Sequence, residues 1–286
     1  VVLVCAAQFA WGGASYYLAG MSGVAWLISL AILLLHLKLM DGVWKEKFLG
    51  IYHCFSLWLL LVILCHDAAL FIDNLVGTTF VWPFVCLAMV PGIALLLLVS
   101  VGEKLRWPVK VYGAYYRDIG VAGPLAWLVL WFIFSNFISG DPEPLQHIPL
   151  FNPLALVQVF CLFVLLYWFK KNEKQPGRIA TLLGRQLLIA VFIGLVFLWL
   201  NGVTAKLVYL YFGVPFSASA LFQSVVFQSA LSILWSILAL TVTIWATRRG
   251  SRNIWFIGAV LLVGVVSKLF LVDLSGTGTI ARIVSF

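Results

Sequence analysis

Lys268, Asp273 and Arg282 are the residues whose types and spacing point most directly to chemistry. Lys268 stands inside an apolar run. Asp273 follows five residues on, and Arg282 comes after the turn Ser275-Gly276-Thr277-Gly278-Thr279. A charge within such a run is costly to place and is often kept for function. Two cations and a carboxylate gathered by a flexible turn suit an anion or proton site. They also suit a structural ion pair, with Lys268 extending its stem toward an interface. The structural reading carries the greater weight.

A second constellation lies along another apolar run. It comprises Gln223, Ser224, Gln228, Ser229, Ser232, Ser236 and Thr243. Gln228, Ser232 and Ser236 recur every four residues, which sets them on one helix face. Ser229 lies beside them. The stripe reads either as a polar path for a substrate or as glue between helices, at about 0.6 kcal/mol per hydrogen bond. Packing is the reading placed first.

His66, Asp67 and Asp73 make a third group. With His147, Asp141 and Glu143 they offer imidazole and carboxylate groups for a cation, or a general acid and base. Solvated loop residues are the simpler account. His36 and His53 read as packing or interface residues. Cys5, Cys54, Cys65, Cys86 and Cys161 form no C-x-x-C pair. In apolar runs they act as small hydrophobes, so neither a zinc site nor a disulfide framework is read. No phosphate-binding loop, zinc-protease helix or nucleophile elbow is present. We therefore assign no catalytic residue, metal or cofactor from the sequence.

The elements that must hold these groups follow from composition. Of the 286 residues, 64% are hydrophobic and 10% charged, and the mean hydropathy is +1.10. A soluble domain carries about 25% charged residues. Lipid removes the need for a polar surface. Apolar runs of span length cover about residues 1–18, 23–37, 49–65, 80–101, 119–139, 153–169, 186–200, 220–246 and 254–274. A tenth begins near Ile280. The expected fold is all-α: a polytopic transmembrane helical bundle of about nine spans plus the start of a tenth. Val1 and Phe286 each fall inside an apolar run. We therefore expect a fragment truncated at both ends, whose partners are the bilayer and the remaining spans of a longer chain.

Orientation is legible in the connections. Those after the second, fourth, sixth and eighth runs hold three, four, five and three basic residues. Those after the third, fifth, seventh and ninth hold none, none, Lys206 and Arg282. Lysine and arginine favour the cytoplasmic side, so the second set is expected to face outward. The acidic residues divide evenly, and they contribute little to this rule. Trp44, Trp107, Tyr112, Tyr115, Tyr116, Trp245 and Trp255 gather near the inner boundary as an aromatic belt. The net charge of +8 thus reports orientation, and nucleic acid is not an expected partner.

Residues 50–80 and 186–216 align at an offset of 136, with Leu59/Leu195, Leu64/Leu200, Ala69/Ala205, Gly77/Gly213 and Phe80/Phe216 identical. A parallel four-span repeat, 50–140 and 186–278, is one reading, of the kind transporters use. Ordinary apolar similarity is the other.

The stretch from Trp255-Phe256 through Lys268-Leu269-Phe270-Leu271-Val272-Asp273-Leu274-Ser275 to Ala281-Arg282-Ile283-Val284-Ser285-Phe286 resembles the bacterial predicted membrane proteins catalogued as domain of unknown function 2339. The resemblance covers about 30 residues. It implies a long, multi-pass protein of the bacterial inner membrane and supplies no activity. Three function classes stand: a transporter or flippase-like protein, a non-catalytic membrane scaffold or assembly protein, and last an enzyme acting on an envelope lipid or glycan. The substrate is not read.

Overall fold

In lipid, backbone N–H and C=O groups must be satisfied within the chain, which leaves helices as the spanning element for runs of this length. A computed structural model describes residues 20–77, 79–174, 177–250, 252–268 and 270. Every element among the described residues is helical. They are α1 (Gly20–Leu39), α2 (Glu46–Val76), α3 (Val81–Val101), α4 (Gly113–Ser135), α5 (Pro153–Lys174), α6 (Arg178–Phe212), α7 (Ala218–Gln223), α8 (Val225–Arg249) and α9 (Arg252–Lys268).

Six of these, α2 to α6 and α8, are long and apolar enough to cross a membrane. The apolar parts of α1 and α9, Gly23–Leu39 and Gly258–Lys268, are shorter. The expected first run and the start of the tenth lie outside the described residues, as do Cys5, Asp273 and Arg282. Among the described residues six helices are thus of crossing length, and the expected count of about nine is not confirmed.

Three boundaries differ from the sequence reading. α2 continues past Cys65 to Val76, so His66, Asp67 and Asp73 sit on helix. Asp67 and Asp73 interrupt the apolar pattern, but the i→i−4 ladder does not depend on apolar side chains. The helix stops at Gly77, whose φ of 61° gives a left-handed C-terminal cap. α6 likewise runs on through Asn201 and Lys206 to Phe212, and Gly213 follows at φ 65°. Its opening turns are set off by Gly184, which is non-helical at φ 73°, ψ 150°. The run read as an eighth span is two helices, α7 and α8, separated by extended Ser224. Ser217 and Ser224 start them: each hydroxyl accepts a backbone N–H three residues on, from Ala220 and Phe227.

The chain divides into two compact units at the Trp199–Leu200 bond, within α6. In the first, α3, α4 and α5 build the core. Ala88, Leu95, Leu128, Phe132, Leu154 and Cys161 are completely buried there. Gln158 of α5 donates from Nε2 to Ser135 Oγ of α4 at 2.8 Å, with both residues fully buried. Asn152 begins α5 by accepting the Ala155 N–H on Oδ1 at 2.8 Å.

The second unit centres on the α8–α9 hairpin. Gly250 ends α8 in the left-handed region, at φ 62°. Across the hairpin Gly258 lies against Thr243, and a Cβ at Gly258 would overlap the Thr243 hydroxyl. Ala239, Ala246 and Val265 are buried in this unit. Small residues permit such backbone approach where lipid leaves little hydrophobic drive between helices.

Candidate functional site

Proline shapes the walls of one cavity in the first unit. Pro91 in α3 has no N–H for the Leu87 carbonyl, and Pro124 in α4 has none for Gly120. Both carbonyls are taken by indoles from neighbouring helices. Trp127 Nε1–H of α4 donates to Leu87 O at 2.7 Å. Trp58 Nε1–H of α2 donates to Gly120 O at 3.0 Å. Gly123 lets the Trp58 ring lie on the α4 backbone, since a Cβ there would come within 2.6 Å of Cε2.

These two prolines and two tryptophans border a cavity of about 850 Å³. Its walls are largely apolar, with Leu61, Val62 and Leu87 contributing. His66, Asp73 and Thr79 add polar groups near the α2–α3 connection. Thr79 Oγ1 is buried and has no hydrogen-bond partner among the described residues. The volume lies within the usual range for small-molecule sites, about 300–1,000 Å³. An apolar chamber with a few polar groups at one end suits an amphipathic molecule.

Of the sequence-read acidic group, His66 and Asp73 line this cavity and Asp67 does not. His66 Nδ1 lies 3.2 Å from Asp67 Oδ1. His147 Nδ1 lies 2.9 Å from Asp141 Oδ1, and Asn152 Nδ2 lies 3.4 Å from His147 Nε2. The Glu143 carbonyl accepts the Trp82 indole N–H at 2.8 Å. The two histidine–aspartate pairs thus belong to separate local structures. Among the described residues no group of three or more His, Cys, Asp or Glu is arranged to hold a metal ion.

In the second unit Lys268 meets the polar stripe. Its Nζ donates to the Gln228 carbonyl and to Ser232 Oγ, both at 2.7 Å. Gln228 Nε2 donates to Phe222 O at 2.9 Å. That carbonyl belongs to the last turn of α7, where helical partners run out. The Ser232 and Ser236 hydroxyls donate back to the carbonyls four residues earlier, at 3.1 and 2.7 Å. Gln223, Ser229 and Ser236 are exposed on the helices. The arrangement holds an ammonium on neutral oxygens and links α9 to the start of α8.

One cluster was not read from the sequence. Asp41 accepts from Trp107 Nε1 at 2.9 Å and from the Tyr112 hydroxyl. His53, only 1% exposed, stacks on Tyr112 with centroids 4.6 Å apart and meets the edge of Trp107 at 5.5 Å. The Tyr116 hydroxyl lies 3.5 Å from His53 Nδ1, while His53 Nε2 has no hydrogen-bond partner among the described residues. Burial, then the hydrogen bond and charge of Asp41, push the Tyr112 hydroxyl up to about 12. The available signal was Asp41, a carboxylate among basic residues, with the Trp107 to Tyr116 aromatics downstream. An interfacial belt accounted for those aromatics without calling for a shared partner.

No curated protein and no solved structure matches the chain. The whole of it, residues 1–286, matches a family described as Predicted membrane protein (DUF2339). The six crossing-length helices agree with that description, and the chain belongs to this family of membrane proteins of unknown function.

Proposed function

We propose that the chain is a multi-pass protein of the bacterial inner membrane that moves an amphipathic substrate, as a transporter or flippase does. The observation that carries this reading is the 850 Å³ cavity among α2, α3 and α4. Its apolar walls suit a hydrocarbon portion. His66, Asp73 and the Thr79 hydroxyl suit a polar head. In this reading the basic connections face the cytoplasm, nine spans cross the bilayer, and the polar end of the cavity belongs to the outer half. A four-span repeat, 50–140 and 186–278, is part of the proposal. It is supported by Gly77 and Gly213, which follow long helices at φ 61° and 65° and stand one repeat apart.

The test uses vesicles containing the purified protein and a fluorophore-labelled phospholipid, with a membrane-impermeant quencher outside. Translocation above that of protein-free vesicles is expected. Ala69→Trp, which fills the cavity, should abolish it while insertion and yield stay unchanged. No translocation by wild type, or full translocation by Ala69→Trp, removes this reading for that lipid class.

A non-catalytic scaffold is the second reading. The close approach of Gly258 to Thr243 favours it, because that contact ties α8 to α9 without enclosing a chamber. A wild-type protein that moves no lipid yet is required to recover neighbouring membrane proteins intact would favour this alternative.

A further inference from the structure

A second cavity, of about 610 Å³, lies at the opposite, basic ends of α3, α4 and α5. We infer that it binds a phosphate-bearing anion, presented either as the headgroup of an acidic phospholipid or as a free phosphate ester. The inference does not depend on the transport reading, because it concerns occupancy and not movement.

Three cations from three segments line this cavity. Lys110 comes from the connection before α4, Arg117 from α4 and Lys171 from α5. Among the described residues that line it, none is a carboxylate. Two acids adjacent in sequence to lining residues, Asp118 and Glu173, are engaged elsewhere. Asp118 Oδ1 accepts the Arg178 backbone N–H at 2.6 Å, and Glu173 pairs with Arg185 at 2.9 Å. Lys110 and Lys171 have no ion pair among the described residues. Like charges gathered at one concavity raise the local potential and attract an anion.

The rest of the lining fits the same ligand. Tyr116 and Trp168 are buried walls, and Leu98 and Val121 supply apolar surface. Asn172 is spent on structure: Nδ2 donates to Trp168 O and Oδ1 accepts the Gly177 N–H, both at 3.2 Å. Recognition therefore falls to the cations. Lysine and arginine are suited to phosphate oxygens. Basic pockets between helices on a cytoplasmic face are known to take acidic headgroups.

The experiment uses the full chain in neutral detergent, with two probes titrated separately: a short-chain phosphatidylglycerol and glycerol phosphate. Binding is read by native mass spectrometry and by the rise in melting temperature. Saturable binding of at least one probe is expected. Lys110→Gln with Lys171→Gln should weaken it roughly tenfold or more, at about 1 kcal/mol per lysine near a surface. Lys110→Arg with Lys171→Arg should retain it, which separates charge loss from misfolding. Lys38→Gln with Lys45→Gln removes equal charge elsewhere and should leave it unchanged. Tighter binding of the phospholipid assigns the site to a lipid headgroup. Equal or tighter binding of glycerol phosphate assigns it to a free ester. The inference is overturned if neither probe saturates, if the glutamine pair binds as wild type does, or if the Lys38/Lys45 pair loses as much.

Discussion

Trp127 donates its indole N–H to the Leu87 carbonyl at 2.7 Å, the carbonyl that Pro91 leaves without a helical donor. Trp58 does the same for Gly120, opposite Pro124. Each proline removes one helical hydrogen bond, and the indole of another helix closes the deficit. Proline-bearing walls therefore border the cavity with these two carbonyls satisfied.

This pairing makes a double-mutant cycle informative. Trp127→Phe keeps the aromatic bulk and removes the donor, so it should destabilise the protein by about 1–2 kcal/mol. Pro91→Ala restores an N–H to Leu87. In that background Trp127→Phe should cost less, by about 1 kcal/mol. Melting of the four proteins in one detergent checks this, and equal costs in both backgrounds would show that the indole bond is not compensating for the proline.

Asp73 and His66 should matter for occupancy of the cavity more than for folding. Asp73→Asn and His66→Gln are expected to lower affinity for an amphipathic ligand about tenfold, in line with loss of one charge-assisted hydrogen bond. Ligand quenching of indole fluorescence measures this. The melting temperature should shift little, since Asp73 is exposed at the end of α2.

Tyr112 gives a pH-dependent signature. Its hydroxyl is raised to about 12, so the folded state holds the proton more tightly than the unfolded chain. The resulting stability is fully present below the ordinary tyrosine range near pH 10 and is lost as pH climbs through about 12. Asp41→Asn removes the negative neighbour and should bring ionisation to lower pH. The tyrosinate absorbance difference between each protein and its Tyr112→Phe counterpart isolates this group.

Lys268 should behave as a strut between α9 and α8. Lys268→Met removes the bonds to Gln228 and Ser232 and is expected to cost about 2 kcal/mol, whereas Ser232→Ala takes away one of those two lysine contacts and should cost about 1 kcal/mol. Protease cleavage between the helices, followed over denaturant, reports the loss. If Lys268→Met melts like wild type but abolishes substrate movement, the lysine serves the transport path instead.

The helical class was legible because apolar runs in lipid leave few alternatives, and Gly42, Gly77 and Gly250 mark connections at positive φ. Helix ends were less legible. Asp67, Asp73, Asn201 and Lys206 lower hydropathy without disturbing the backbone ladder, so α2 and α6 outlast their apolar windows. Ser224 was read as one tooth of a polar stripe, yet it is extended and caps α8. The meeting of Lys268 with Gln228 and Ser232 spans 36 to 40 residues of sequence. No periodicity within one run specifies a partner on another. The same holds for Asp41 and Tyr112, whose residue types fit an interfacial belt equally well.

The interruption at Ser224 also has a mechanical meaning. A continuous helix transmits torque as a rod, whereas a single extended residue acts as a swivel. α7 can tilt through the torsions of Ser224 while α8 keeps its coil. Gln228, holding the Phe222 carbonyl, acts as a tether that limits the arc. A spin label at Phe222 would then record swings that one at Ala239, seated in the hairpin, does not feel.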